Sequence, residues 1–158
     1  MIRTRVSGIP NVKKKLQKLC DKVISGAVTG MQEGGVLLRD VSVQNAPRFT
    51  SNLRNSAYVV VSGKGEVAQR HRTYFYATGR EIANFEAVRA RALQAATLRV
   101  GTKKIGKVVE VGFGADYALK VHEAVGTQFS MGGPRFLANT LQTLGAAIMT
   151  KIRSSVKL

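Results

Sequence analysis

The stretch Ala46-Pro47-Arg48-Phe49-Thr50-Ser51-Asn52-Leu53-Arg54-Asn55-Ser56 lies between a long helical pattern and a run of residues typical of a β-strand. Pro47 has no backbone N–H and biases Ala46 away from helical geometry, so the helix is expected to end here. Thr50, Ser51 and Asn52 carry short polar side chains that hydrogen-bond nearby backbone and favour a compact turn. The stretch contains no set of catalytic groups, and it predicts a structural corner.

Residues 10–45, before this corner, carry apolar side chains three or four positions apart, which predicts a helix. Gly26, Gly30 and Gly34 put three small residues on one face, where a second backbone could approach closely. The same glycines weaken a helix, so the sequence leaves open whether this segment is continuous, kinked or broken. The apolar positions are Val12, Leu16, Leu19, Val23, Ala27 and Met31, and the other face carries mainly Lys13, Lys14, Lys15, Lys18 and Lys22.

The chain after the corner alternates between strand and helix patterns. Strands are predicted at residues 57–62 and 108–113, and helices at 80–100, 116–124 and 136–156. The last helix has an apolar stripe, of which Leu141, Leu144 and Ile148 are expected to pack against the sheet. We therefore predict one α+β domain over residues 1–158, with an antiparallel sheet flanked by a long N-terminal helix and a C-terminal helix.

Residues 64–107 form an insertion between the two predicted strands, and they contain ten basic residues but only three glutamates. Because an isolated arm of this charge would repel itself, we expect neighbouring subunits or proteins to hold it. We also expect the arm to protrude, so that its deletion leaves the core folded. The residues predicted to contact a neighbouring subunit or partner are Arg70, Arg72, Tyr74, Phe75, Tyr76, Phe85, Arg89 and Arg91.

The charge of the whole chain is strongly positive, with 25 Lys and Arg against nine Asp and Glu, a formal net charge of +16. This excess implies an acidic partner, which is a nucleic acid, an anionic surface or an acidic protein. No helix-turn-helix, zinc-finger or RNA-binding signature accompanies the basic residues, so sequence-specific recognition is not expected. Contact with DNA phosphates and contact with acidic proteins both stay open.

The polar residues do not form a recognisable catalytic or metal site. Asp116, His122 and Glu123 lie close together in the sequence, but one short helix supplies too few ligands for a metal. The segment Gly101–Lys107 ends in Gly-Lys, yet Val108 replaces the Ser or Thr of a phosphate-binding loop. Cys20, the only cysteine, is expected to be buried or in an interface. We therefore expect no enzymatic activity, no cofactor and no metal.

The sequence also bears on the membrane and on secretion. The basic N-terminal residues are not followed by an apolar stretch, so no secretory signal is expected. No run approaches the ~20 apolar residues that a membrane span requires. We expect synthesis in the cytoplasm and no membrane partner.

Three segments, taken in order, resemble a known family. The first is the corner, with Pro47, Thr50, Leu53, Arg54 and Ser56. The second comprises Val111-Gly112-Phe113-Gly114-Ala115-Asp116-Tyr117-Ala118, Val121-His122-Glu123 and Gly126-Thr127, and the third is Gly133-Pro134-Arg135-Phe136-Leu137. Together they are similar to the neck, or tail-completion, proteins of tailed bacteriophages, which join head to tail. The chain departs from that pattern at Ser51-Asn52, where the family has glycine, and in the greater length of residues 64–107.

The resemblance implies an α+β virion protein, made in the host cytoplasm, that forms a ring in the phage neck around the DNA channel. The implied partners are further copies of the chain, head-closure or connector proteins, tail-terminator or tail-tube proteins, and double-stranded DNA touched without sequence preference. The implied mechanism is assembly, in which a repeated heterologous contact closes into a ring. A tail-terminator ring that caps the tail tube is the alternative, and a sequence-blind DNA-binding protein is a less favoured one.

Overall fold

The structure, a computed structural model, describes residues 8–48, 52–67, 79–102 and 106–156. Of residues 79–83 it describes the backbone only. Five helices and three strands are found in these ranges. In chain order they are α1 (Ile9–Asn45), α2 (Asn52–Asn55), β1 (Ala57–Val61), β2 (Gly65–Glu66), α3 (Gly79–Gly101), β3 (Val109–Phe113), α4 (Ala118–His122) and α5 (Phe136–Ser155).

The fold is α+β, as predicted, with a long N-terminal helix, a three-stranded antiparallel sheet and a C-terminal helix. The strand order is β2-β1-β3, so β1 is the central strand of the described sheet. In the register of β1 and β3, Ala57 pairs with Phe113 and Val61 pairs with Val109. Among the described residues, no helix is both long enough and apolar enough to cross a membrane.

All five residues of β1 are buried, because helices cover both faces of the sheet. On one face Tyr58 and Val60 pack with Ala96 and Val100 of α3. On the other face α1 approaches so closely that a Cβ added at Gly35 would lie 2.8 Å from Val109 and 3.2 Å from Val59. A continuous apolar strand is typical of a sheet that is covered on both sides.

Helix α1 is continuous through its glycines, and α5 packs antiparallel along its C-terminal half. A Cβ added at Gly30 would lie 2.6 Å from the Cα atom of Ile152, and one added at Gly34 would lie 2.7 Å from the Ile148 side chain. A Cβ added at Gly26 would likewise collide with the backbone carbonyl oxygen of Ser155. Of the alternatives that the sequence left open, the structure therefore has the close approach of a second backbone to a continuous helix, and that second backbone is α5.

The predicted packing of α5 against the sheet is wrong. Leu141 is 51% exposed, while Leu144 and Ile148 are half-buried, and the helix packs along α1 instead. Its first residue, Phe136, is the exception, because its ring lies edge-on to Phe113 of β3 at a centroid distance of 4.8 Å. The reason is the row of glycines on α1, which offers α5 a closer surface than the sheet does.

The inserted segment between β1 and β3 contains α3, and α3 does not protrude. Ala96 and Val100 are buried against the sheet, and Phe85 is also buried. The expectation that the segment can be deleted without harm to the core is therefore wrong for α3, because deletion would uncover one face of β1. Five of the predicted contact residues, Arg70, Arg72, Tyr74, Phe75 and Tyr76, lie outside the described residues.

Candidate functional site

The three segments that carry the family resemblance meet at one corner of the molecule. Ala46, Leu53, Ala115, Ala118 and Phe136 form one buried apolar cluster, although they lie far apart in the sequence. Half-buried Phe113, Val121 and Leu137 pack around this cluster. We call this cluster and the segments that hold it the motif corner. Thr50 lies outside the described residues, and the other motif residues of the first segment all lie at this corner.

Arg54 closes the C-terminal end of α1. Its Nε and Nη2 atoms donate hydrogen bonds to the carbonyl oxygen of Ala46 at 3.1 and 2.8 Å, and Nη2 also donates to the carbonyl oxygen of Gln44 at 3.0 Å. The last carbonyls of a helix have no partner within the helix, so they need donors from elsewhere. Burial of the guanidinium and, secondarily, the nearby charge of Arg48 lower the pKa of Arg54.

We expect Arg54→Ala to lower the free energy of unfolding by about 2 kcal/mol, because it leaves the carbonyl of fully buried Ala46 without its charged donor. Chemical denaturation of the purified variant measures this loss. Arg91→Ala is the matched control, since Arg91 is exposed on α3 and its replacement should change the free energy by no more than about 0.5 kcal/mol. Equal values for the two variants would show that Arg54 does not hold the end of α1.

The third segment is tied to the same end of α1 by backbone and side-chain hydrogen bonds. The N–H of Gly133 donates to the carbonyl of Asn45 at 3.0 Å, and the Asn45 side-chain amide donates to the Thr140 hydroxyl at 3.0 Å. Gly132 has a positive φ of 77° and lies against the carbonyl of Ala46, so a side chain there would be strained and would collide. Residues 131–140 therefore hold α5 in place relative to α1.

The second segment joins the corner through Ser56 and Gly114. The Ser56 hydroxyl donates to the carbonyl of Leu53 at 2.7 Å, and the N–H of Gly114 donates to the carbonyl of Ser56 at 2.9 Å. A Cβ added at Gly114 would lie 3.0 Å from the Cβ atom of Ala92, so α3 packs directly over this end of β3. The glycine of the motif thus lies at a close helix–strand approach, where a side chain would require the neighbouring atoms to shift.

His122 has a structural role at the corner. Its Nδ1 atom lies 2.7 Å from a carboxylate oxygen of Glu123, and its Nε2 atom lies 3.4 Å from the N–H of Ala138 in the first turn of α5. With Nδ1 donating to Glu123, Nε2 is left to accept from Ala138. The ring also lies edge-on to Phe136 at 5.0 Å. Nε2 and the ring therefore link α4 to α5, while Nδ1 contacts the neighbouring Glu123 at the end of α4. No group of three or more potential metal ligands occurs among the described residues.

The remaining motif residues lie at the surface or line the corner. Ala118 is buried, and Pro134 is half-buried where the chain enters α5. Gly126 has a positive φ of 93°, which explains the choice of glycine in this turn. Tyr117, Glu123 and Thr127 are exposed, so this part of the motif is open to a neighbour.

A second polar group links the sheet to α3. The Tyr58 hydroxyl donates to Glu110 at 3.1 Å across the β1–β3 pair, and Arg99 of α3 donates to the same carboxylate at 2.5 Å. The Tyr58 ring lies over Gly112, where a Cβ would come within 2.5 Å of the hydroxyl oxygen. Burial, followed by the charge of Glu110, raises the pKa of Tyr58 to about 12.

Tyr58 should make stability depend on pH in alkaline solution. Because its pKa rises from 10.0 to about 12 on folding, its contribution is complete below pH 10 and is lost as the pH rises towards 12. We expect the stability difference between wild type and Tyr58→Phe to shift by roughly 2 kcal/mol against the wild type over this interval. Urea unfolding of both proteins at roughly pH 9, below both pKa values, and at roughly pH 12, where the folded-state pKa is reached, measures the shift. A constant difference would contradict it.

The basic residues divide into an exposed group and an internal group. Arg89, predicted to contact a neighbour, is instead buried and forms an ion pair with Glu66, so that prediction is wrong. Phe85 is likewise buried, whereas Arg91 is exposed and is open to a partner. All five lysines in the N-terminal half of α1 are exposed: Lys13, Lys14, Lys15, Lys18 and Lys22.

The sequence did not predict the exposure of the apolar side chains beside these lysines. Ile9, Val12, Leu16 and Leu19 have 44–61% of their surface exposed, and Cys20 is exposed as well. Their periodicity indicates an apolar face, but it does not tell whether that face is covered by the same chain. The length of α1, 37 residues against 20 in α5, is the feature that leaves this part uncovered.

Comparison of the chain with protein-family models, with curated proteins and with solved structures finds no match.

Proposed function

We propose that this chain is a structural protein of the tailed-phage neck, where it forms a ring that joins the DNA-filled head to the tail. The observation that carries the proposal is the motif corner. Residues from three distant segments, chosen for their resemblance to neck proteins, pack into one buried cluster with Arg54, His122 and Gly132 around it. Because the three short motifs pack together at one corner, a single structural role accounts for their presence in the same chain.

The proposed mechanism is assembly. The corner fixes the direction of α1, α4 and α5 relative to the sheet, so every copy presents the same surfaces at the same angles. In a ring, one surface of each copy contacts a different surface of the next, and the rotation between copies must close. A rigid corner keeps that rotation constant, and the exposed motif residues Tyr117, Glu123 and Thr127 lie where a neighbour can reach them.

The positive charge fits a position around DNA and beside acidic neighbours. The chain carries a formal net charge of +16, and five lysines project from one exposed half-helix. Contacts with phosphates position a protein on DNA without reading its sequence, which suits a channel through which any part of the genome must pass. Under this proposal the protein has no catalytic role.

The experiment is to delete the gene from the phage that carries it and to restore it from a plasmid. A neck protein predicts DNA-filled heads and tails of normal length that stay unjoined, with joining restored by the wild-type chain. Tails of uncontrolled length would contradict the neck position and favour the tail-terminator alternative. Heads without DNA would contradict both and favour a DNA-binding role in packaging.

A further inference from the structure

Helix α1 extends well beyond its partner helix. The last residues of α5 lie against Gly26, so residues 9–24 continue past the end of α5 for about 24 Å at 1.5 Å per residue. Within this overhang Ile9, Val12, Leu16 and Leu19 are 61%, 57%, 57% and 44% exposed. We call residues 9–24 the overhang.

The exposed apolar residues continue the seam that α5 occupies farther along α1. Positions 9, 12, 16, 19, 23, 26 and 30 are separated alternately by three and four residues, which is the spacing of the two core positions in a coiled coil. At Gly26 and Gly30 this seam packs against the α5 backbone. The same line of contact therefore changes, at the end of α5, from a covered helix–helix interface to an open one, and the occupant that fits the open part is another helix.

The charges beside the seam determine what kind of helix fits. In the coiled-coil pattern the positions that flank the core of the overhang are 13, 15, 20 and 22, and three of these four are lysines. Asp21, the only acidic residue of the overhang, lies away from the seam and accepts a hydrogen bond from Gln17 at 3.0 Å. Pairing with the overhang of a second copy would bring no acidic residue to these flanking positions, and it would place lysine-rich segments side by side.

We propose that the overhang is a docking site for a helix of a different protein, with an apolar seam flanked by glutamate or aspartate. The leucine, valine and isoleucine side chains supply the buried contact, and Lys13, Lys15 and Lys22 select the charge of the partner. This inference does not depend on the proposed ring, because it concerns the seam and the charges of a single chain.

The test uses two designed helical peptides with the same leucine seam, one with glutamates and one with lysines at the flanking positions. Fluorescence anisotropy with the full chain should show binding of the glutamate peptide, with at least tenfold weaker binding of the lysine peptide. Leu16→Ser should weaken binding of the glutamate peptide at least tenfold. Leu98→Ser, at a leucine that is 62% exposed on α3, is the matched control and should change binding less than twofold.

A charge-reversed variant tests the proposal by an exchange of peptide preference, and not only by a loss of affinity. The triple change Lys13→Glu, Lys15→Glu and Lys22→Glu should exchange the preference, so that the lysine peptide binds more tightly than the glutamate peptide. Circular dichroism and thermal unfolding should match the wild type for every variant, since all these side chains are exposed. A preference that stays unchanged in the triple variant would overturn the proposal.

Three further measurements distinguish the proposed helical partner from other molecules that could occupy the overhang. Sedimentation that shows a wild-type dimer abolished by Leu16→Ser, without binding of either peptide, would overturn the proposal in favour of a second copy. Binding of a random-sequence DNA duplex that competes fully with the glutamate peptide and does not depend on Leu16 would overturn it in favour of nucleic acid. Binding only to vesicles of phosphatidylcholine and phosphatidylglycerol would overturn it in favour of an anionic membrane surface.

Discussion

Replacing Gly30 by leucine is expected to lower the free energy of unfolding by about 3 kcal/mol. A Cβ atom at this position would lie 2.6 Å from the Cα atom of Ile152, which belongs to the backbone of α5 and cannot move aside by a side-chain rotation. Helices α1 and α5 would have to move apart along the part of α1 that α5 contacts. Helix propensity favours leucine over glycine by less than about 1 kcal/mol. The collision costs more than this, so the free energy of unfolding is expected to fall.

Gly145→Ala is the matched control for this prediction. Gly145 lies within α5, but a Cβ added there would meet no atom within 4 Å. We therefore expect a gain of up to about 1 kcal/mol, from the better helix propensity of alanine. Urea unfolding of both variants measures the two changes, and a stabilised Gly30→Leu protein would show that α5 does not pack on this face of α1.

The second large effect is expected at the ion pair between Glu66 and Arg89. The Arg89 side chain is only 5% exposed, and its Nε atom has no hydrogen-bond partner, so the Glu66 carboxylate is its main compensation among the described contacts. Glu66→Gln would leave the guanidinium charge buried without its counter-ion. We expect a loss of about 3 kcal/mol, because breaking a buried pair costs more than replacing both members.

The double variant Glu66→Gln with Arg89→Met provides the control for the Glu66 prediction. Removing the charge together with its partner should recover most of the lost stability, since methionine can fill the space of the arginine stem. Thermal and chemical unfolding of the single and double variants give the comparison. If the double variant is no more stable than Glu66→Gln, the loss comes from packing and not from the uncompensated charge.

The elements of the fold could be predicted from the sequence because their signals are local. Pro47 ends α1 at the predicted place, and the apolar run from Ala57 forms β1. The glycine spacing on α1 allowed a close backbone contact as well as a kink or a break, and the structure shows the contact in a continuous helix. The stretch 46–56, predicted as a compact turn, contains the short helix α2. The strand β2 was not predicted, because a strand of two residues has no periodicity.

The burial of individual residues could not be predicted, because it depends on contacts between distant segments. Arginine is usually found at the protein surface. The burial of Arg89 is explained by its ion pair with Glu66, which lies 23 positions earlier in the chain. The stripe of α5 was predicted to face the sheet, yet the glycines of α1 bring α5 to the other helix. The apolar face of α1 is covered in one half and open in the other, and periodicity is the same in both halves.

We propose that the chain forms a closed ring at the junction between head and tail. The decisive measurement is electron cryomicroscopy of intact particles of the phage that, under this proposal, carries the gene. We expect several copies of this fold around the channel axis, in a closed ring stacked between the head-closure proteins and the tail, with the motif corner in the same orientation in every copy. A single copy, or particles with joined tails and no copy at the junction, would contradict it.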